Sequence, residues 1–138
     1  MPPRSKSPHA FLLDPHKPLI PVDVLLEGPK GRHFVRMALD TGATYMIAPT
    51  SALRAIGYDP AASSRRVDFV AAGGVERRPI VAVKAVQALG IRLAHMDVVC
   101  HDLPSQSPVR GLLGLNFLKH VSLHLDFPRR QLTIRHGR

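Results

Sequence analysis

Phe34-Val35-Arg36-Met37-Ala38-Leu39 runs directly into Asp40-Thr41-Gly42-Ala43-Thr44. The apolar run reads as a buried strand, and it delivers a carboxylate to a tight, glycine-containing turn. Backbone N–H groups and threonine hydroxyls near such a turn hold the carboxylate oxygens, fix their orientation and prepare the group for proton transfer. The chain carries this turn once. Chemistry that needs two facing carboxylates must therefore take the second from another copy of the chain.

Upstream of the turn, Ile20, Val22, Val24 and Leu26 alternate with Pro21, Asp23 and Leu25, the pattern of a half-buried strand. Glu27-Gly28-Pro29-Lys30-Gly31 turns that strand into the one ending at Leu39. Downstream, Tyr45-Met46-Ile47 reads as a short extended exit. Pro49 then opens a helix as its first residue, with Ala48 as a weak N-cap and Gly57 at its end. Val67 to Ala72 and Val75 to Val83 flank Gly73-Gly74, a pair suited to the positive φ values of a hairpin turn. Lys84 to Leu89 and Ile91 to Cys100 turn at Gly90. Gly111-Leu112-Leu113-Gly114, one helical turn over Leu115-Asn116-Phe117-Leu118-Lys119, and a hairpin of Val121 to Asp126 with Leu132 to Arg135 complete the pattern. Many short strands separated by Gly and Pro predict an all-β fold, a closed or sandwiched barrel with one or two short helices.

The length of 138 residues suits one domain with a core, and Val, Leu and Ile supply it because tryptophan is absent. Residues 1–18, rich in Pro, Lys, Arg and Ser, read as a flexible basic tail, and residues 19–138 as the folded domain. Cys100 is the single cysteine, so no internal disulfide forms. With no signal peptide and no apolar run long enough to span a bilayer, a cytoplasmic location is expected.

A formal charge of +9 attracts polyanions in general. The pairs Arg65-Arg66, Arg77-Arg78 and Arg129-Arg130 are separated and lie beside turns, with no interleaved aromatic platform to stack bases. No specific nucleic-acid partner follows from that layout. His95, Cys100 and His101 form the best cluster for a metal, but strand alternation sets Cys100 on the face opposite the two histidines, so no metal is expected. Asp97, Asp102 and Asp126 near strand ends read as turn caps. No organic cofactor is called for.

Asp40-Thr41-Gly42-Ala43-Thr44, a Pro-started helix, a glycine-tipped hairpin and Leu112-Leu113-Gly114-Leu115-Asn116-Phe117-Leu118 follow one another in the order seen in retropepsin-like aspartic proteases. The chain resembles the small bacterial members of that family from about Leu19 to Ile134. A lone Asp-Thr-Gly recurs by chance and often forms only an Asx-turn; two motifs at the expected separation are far more specific. The resemblance implies a closed barrel of the retropepsin type, a ψ-loop behind the catalytic turn formed with Leu112-Leu113-Gly114, and a flap hairpin.

It also implies an aspartic endopeptidase acting as a homodimer on peptide or protein substrates. In such a dimer the two Asp40 carboxylates share a proton and activate a water. Thr41 then braces the opposing turn, the Gly42 N–H orients the carboxylate, and Ala43 lines the cleft. The flap residues Ala71, Ala72, Gly73 and Gly74 cover a bound peptide, with an ordinary surface hairpin as the bland alternative. Retroviral members interleave their terminal strands across the dimer. Here the Pro-rich start does not read as a strand, and Leu132-Thr133-Ile134-Arg135 reads either as an interface strand or as the last strand of the barrel. A dimer held by the central turns alone is expected to be weak. Two other function classes compete: a catalytically silent peptide-binding module on the same fold, and a basic nucleic-acid-binding protein.

Overall fold

Alternation of apolar and polar residues determines which face each strand buries. The computed structural model describes residues 8–137. After β1 (His9–Leu12), β2 (Pro21–Gly28) and β3 (Gly31–Leu39) pair antiparallel, from Pro21 opposite Ala38 to Gly28 opposite Gly31. Val22, Val24 and Leu26 of β2 and Val35 and Met37 of β3 point inward and are buried. Each such side chain contributes about 1.5–3 kcal/mol of burial before the entropy of ordering is subtracted.

β4 (Met46–Ala48) leads into α1 (Thr50–Ala55). The helix starts one residue later than expected: Pro49 is its N-cap, with φ −74 and ψ 154, and Ala48 belongs to the strand. Strand pairing takes Ala48, which lies opposite Cys100 and accepts the His101 N–H at 3.1 Å. The missing local cap is supplied from a distance, because Asp102 Oδ1 accepts the Thr50 N–H at 2.9 Å. A 3-10 turn follows at Pro60–Ala62, capped by Asp59.

β5 (Arg66–Ala71) and β6 (Gly74–Ala88) form the flap hairpin. Its two-residue turn is Ala72-Gly73, one position earlier than expected, and Gly74, opposite Ala71, takes a φ of +124 that only glycine adopts readily. The segments expected as two strands, Val75–Val83 and Lys84–Leu89, are one continuous strand of 15 residues. β6 serves three neighbours along that length: β5 near its start, β2 near its end, and β7 (Ile91–Cys100) from Ile80 onward. It runs unbroken through Pro79, which sits opposite Arg66 at the end of the β5 pairing, with the β7 pairing taking over from Ile80.

β8 (Gly111–Leu113), α2 (Leu115–Leu118), β9 (Val121–Asp126) and β10 (Gln131–His136) complete the chain. Six strands run β2-β3-β8-β4-β7-β6, and pairing of Leu25 with Gln87 through Glu27 with Ala85 closes them into a barrel. The fold is therefore the expected closed all-β barrel with few short helices. β5 hangs beyond β6 as an edge strand.

A separate sheet, ordered β1-β10-β9, corrects two expectations about the ends. The tail expected through Pro18 contains a strand: His9 to Leu12 lie opposite Ile134 to Gln131. Backbone pairing builds it, since all four side chains are exposed and carry no alternation that the sequence could display. Leu13, 4% exposed and donating its N–H to Arg130 O at 2.8 Å, anchors the end. Residues 1–7 of that tail lie outside the described residues. Leu132 to Arg135 is not a barrel strand; β10 is central in the second sheet, and its Leu132 and Ile134 pack into the same core as the barrel interior.

Candidate active site

β3 and β4 are the two arms on either side of the Asp40 turn, and β8 passes between them. It runs parallel to β3, with Met37 opposite Gly111 and Leu39 opposite Leu113, and antiparallel to β4 at Ile47 opposite Leu112. This is the ψ-shaped crossing. Its effect is to hold the turn from behind: the Asp40 N–H donates to Leu113 O at 3.0 Å, and the Leu115 and Asn116 N–H groups donate to Ala43 O and Thr44 O at 2.7 and 3.1 Å. Gly114 is required for that approach. A Cβ there would lie 2.5 Å from Tyr45 O and 2.7 Å from Ala43 O, both backbone atoms that cannot swing away.

Within the turn, Asp40 Oδ1 accepts the Gly42 N–H at 2.8 Å and Asp40 O accepts the Ala43 N–H at 3.3 Å. The side chain is half-buried, with its orientation fixed by main chain. Asn116 fastens the far arm, accepting the Met46 N–H at Oδ1 (2.8 Å) and donating from Nδ2 to Asp97 O (2.7 Å). Asp97 in turn grips Arg65 at the root of the flap, with both guanidinium nitrogens 2.7 and 2.8 Å from its carboxylate. That hydrogen bonding holds the Asp97 carboxyl below the ordinary carboxylate range and raises Arg65.

Between turn and flap lies a cleft of about 530 Å³. Asp40, Gly42 and Ala43 form one side and Val67 to Val70 of β5 the other, over a floor that includes Ile47, Val99 and Leu112. The volume and the mostly apolar lining around Asp40, with Asp68 on the β5 side, suit an organic ligand with apolar side groups. β5 pairs with β6 alone among the described strands, so its outer edge offers unpaired N–H and C=O groups beside that cleft.

The structure thus gathers Asp40, Gly42 and Ala43 at one cleft. Thr41 is exposed beside it and is not part of its lining. Of the flap residues expected at the site, Ala71 and Gly74 pair across the ladder and Ala72-Gly73 form the turn, but the cleft wall in this single chain is Val67 to Val70. A Cβ at Gly73 or Gly74 would meet no atom within 4 Å, so the tip projects into open space. Tyr45, Ile47, Phe69 and Val99 were not singled out from sequence. Alternation was the available signal, since Tyr45 and Ile47, or Val67 and Phe69, must share a face once the strands are set.

The His95, Cys100 and His101 residues serve other ends. His95 is exposed with a φ of +55. Cys100 is buried, which pushes its thiol up, and its Sγ lies 3.2 Å from Thr50 Oγ1. His101 stacks on Phe69 at a centroid separation of 4.5 Å, and burial together with nearby Arg78 lowers its pKa. Among the described residues no group of three or more His, Cys, Asp or Glu could hold a metal ion, and no helix is long and apolar enough to cross a membrane.

A retropepsin-like aspartic protease from Rickettsia conorii, known from a crystal structure, superposes with a TM-score of 0.71 over 94% of this chain and 91% of that one, at 13% sequence identity. At that identity the likeness speaks for the fold alone. No curated protein matches the sequence. The aspartyl protease family profile matches residues 21–117, which begins at β2, contains the Asp40 turn and the flap, and ends in α2 after the β8 crossing. The match covers well over half of the chain and both motifs that build the site, and the chain belongs to the aspartyl protease family.

Proposed function

We propose that this chain is an aspartic endopeptidase that works as a homodimer, with Asp40 of each chain at a shared site on the two-fold axis. The observation that carries the reading is a half-buried carboxylate, oriented by the Gly42 N–H at 2.8 Å, at the edge of an apolar cleft beneath an edge strand. A single chain holds half of the chemistry: Asp40 is the one carboxylate in the lining of that cleft outside the flap strand.

In the pair, two carboxylates at close range hold one proton between them, because like charges so near cannot both stay ionised. The ionised one takes a proton from a bound water as its oxygen attacks the scissile carbonyl carbon. The protonated one donates its hydrogen bond to the carbonyl oxygen as that oxygen gains charge. Collapse of the tetrahedral adduct breaks the C–N bond while a proton passes to the leaving nitrogen, and the dyad returns to its singly protonated state. No metal or organic group is required for these steps.

An extended peptide fits the free edge of β5 by main-chain hydrogen bonds, and its apolar side chains fit the floor around Ile47, Val99 and Leu112. On assembly, Thr41 braces the opposing turn and the tip from Ala71 to Gly74 folds down over the peptide. The buried free thiol of Cys100 agrees with a reducing, cytoplasmic setting. Residues 9–136, including the second sheet, act as the folded half-enzyme. The decisive experiment is cleavage of a peptide library at mildly acidic pH by wild type and Asp40→Asn. Wild type is expected to cut and Asp40→Asn to lose activity by at least about a thousandfold. Equal activity in both refutes the proposal, and peptide binding without cleavage by either form establishes the silent binding module instead.

A further inference from the structure

Phe69 forms part of the cleft wall, and behind it stands a histidine that the proposed chemistry does not use. β5 pairs with β6 alone among the described strands, so its place beside Asp40 rests on side chains. Its root is held by the Arg65–Asp97 bridge, and its middle by Val67 and Phe69, which pack on Ile47, Ile80 and Val99. His101 backs Phe69, with ring centroids 4.5 Å apart and planes at 36°, and its own N–H is fixed to Ala48 O at 3.1 Å. Cross-strand pairing sets Arg78 beside Val67 and Glu76 beside Phe69 on one face of the hairpin, while Asp68 and Arg77 pair on the other. The charges acting on the imidazole are therefore Arg78 and Glu76 of β6 and Asp102 of its own loop. Both carboxylates are engaged elsewhere: Glu76 by the Arg78 guanidinium, Asp102 by the Thr50 N–H and hydroxyl. His101 Nδ1 and Arg78 Nε are buried atoms that hydrogen-bond to no described residue. A guanidinium Nε is always a donor, whereas Nδ1 of a neutral imidazole can stand as a bare acceptor. A proton on Nδ1 would make it a buried donor with no acceptor, near a fixed positive charge.

We propose that neutral His101 is a positioning residue for the β5 wall of the cleft, and that protonation of its imidazole releases this wall and with it a bound peptide. The peptide part rests on the protease reading above. An imidazolium gains partners by leaving Phe69 for solvent, Asp102 or Glu76, so the two protonation states favour two positions of the wall. The root does not follow, because the Arg65 guanidinium holds the Asp97 carboxyl below the ordinary carboxylate range and the bridge stays charged. Burial and Arg78 hold His101 below the ordinary 6.5 in the closed form. In the open form it titrates nearer that ordinary value. Closure and peptide affinity are therefore full above it and decline as pH falls through the window below it.

The test is the Kd of an end-blocked peptide without titratable side chains, measured on Asp40→Asn and on its double variants with His101→Phe and His101→Ala. Asp40→Asn removes the titration of the dyad, and no histidine lines the cleft itself. Between about pH 7.5 and about pH 5, a range above ordinary carboxylates, the Kd on Asp40→Asn should rise by about fivefold. With His101→Phe, whose ring stacks but takes no proton, it should change by less than about twofold over the same range. His101→Ala has neither ring nor proton and should bind weakly throughout. Amide exchange at Val67 to Val70 supplies a readout that needs no ligand and no variant. Corrected for intrinsic rates, protection should fall on acidification in the wild-type chain, with the same midpoint as the His101 ring signal in NMR. An equal pH response of Kd with and without the imidazole overturns the proposal, as does β5 protection that ignores the His101 titration. A chain that neither binds nor cuts any peptide refutes the protease reading instead, and the exchange data still decide whether His101 releases β5.

Discussion

Replacing Asn116 by Ala tests whether the Asp40 turn is held by the crossing behind it. The amide satisfies two main-chain groups on different elements, the Met46 N–H of β4 at 2.8 Å and Asp97 O of β7 at 2.7 Å. Truncation leaves a half-buried donor and a half-buried acceptor without partners, and each orphan costs about 1–3 kcal/mol. Taking about 1.5 kcal/mol for each, Asn116→Ala loses about 3 kcal/mol, a fall of about 10 °C in the thermal midpoint of a domain of this size. Asn116→Asp sharpens the test. Its carboxylate still accepts from Met46 but faces the Asp97 carbonyl oxygen, whereas the protonated acid restores a donor. The carboxyl therefore favours its neutral form in the folded state, and the deficit of Asn116→Asp should be smaller at about pH 4 than at pH 7. Thermal melts at both pH values, read with kcat/KM, decide the matter. A midpoint within about 2 °C of wild type for Asn116→Ala, or a deficit in Asn116→Asp that grows on acidification, refutes the reasoning.

Gly114→Ala sets a Cβ 2.5 Å from Tyr45 O, so β8 must move away from the arm that follows the Asp40 turn; the expected result is a loss of about 2 kcal/mol in denaturant titration and at least about a tenfold fall in kcat, and wild-type values for both would contradict it. His101, whose pKa is held below the ordinary 6.5 by burial and by Arg78, with Glu76 and Asp102 acting in the opposite direction, gives stability a pH slope. Below the ordinary value the unfolded chain takes up a proton that the folded chain resists, so stability falls as pH drops through that window. In His101→Phe, which keeps a ring against Phe69, denaturation midpoints between about pH 7 and 5 should flatten, and an unchanged slope would remove His101 as its cause.

What could be read from sequence was what local chemistry dictates. The alternation of Val22, Val24 and Leu26 and the Asp40 turn each announce their role within a few residues, whereas the crossing by the Leu112-Leu113-Gly114 run was legible only through the family resemblance. The parts that escaped depend on partners far along the chain. β1 is a strand because β10 offers it an edge, and no residue of His9–Leu12 records that. Ala48 was expected at a helix cap and is a strand residue because Cys100 pairs with it, while the cap itself arrives from Asp102. The cleft wall at Phe69 likewise exists only once distant segments are brought beside Asp40.

The central claim, that two copies of Asp40 make one site, is tested most directly by diluting active chains with inactive ones. Wild type held above its dimer dissociation constant is co-refolded with nine parts of Asp40→Asn so that partners exchange at random. If both chains must supply the carboxylate, about one wild-type chain in ten finds a wild-type partner and activity falls to about a tenth. Activity that tracks the wild-type concentration alone, indifferent to the added Asp40→Asn chains, would contradict the account.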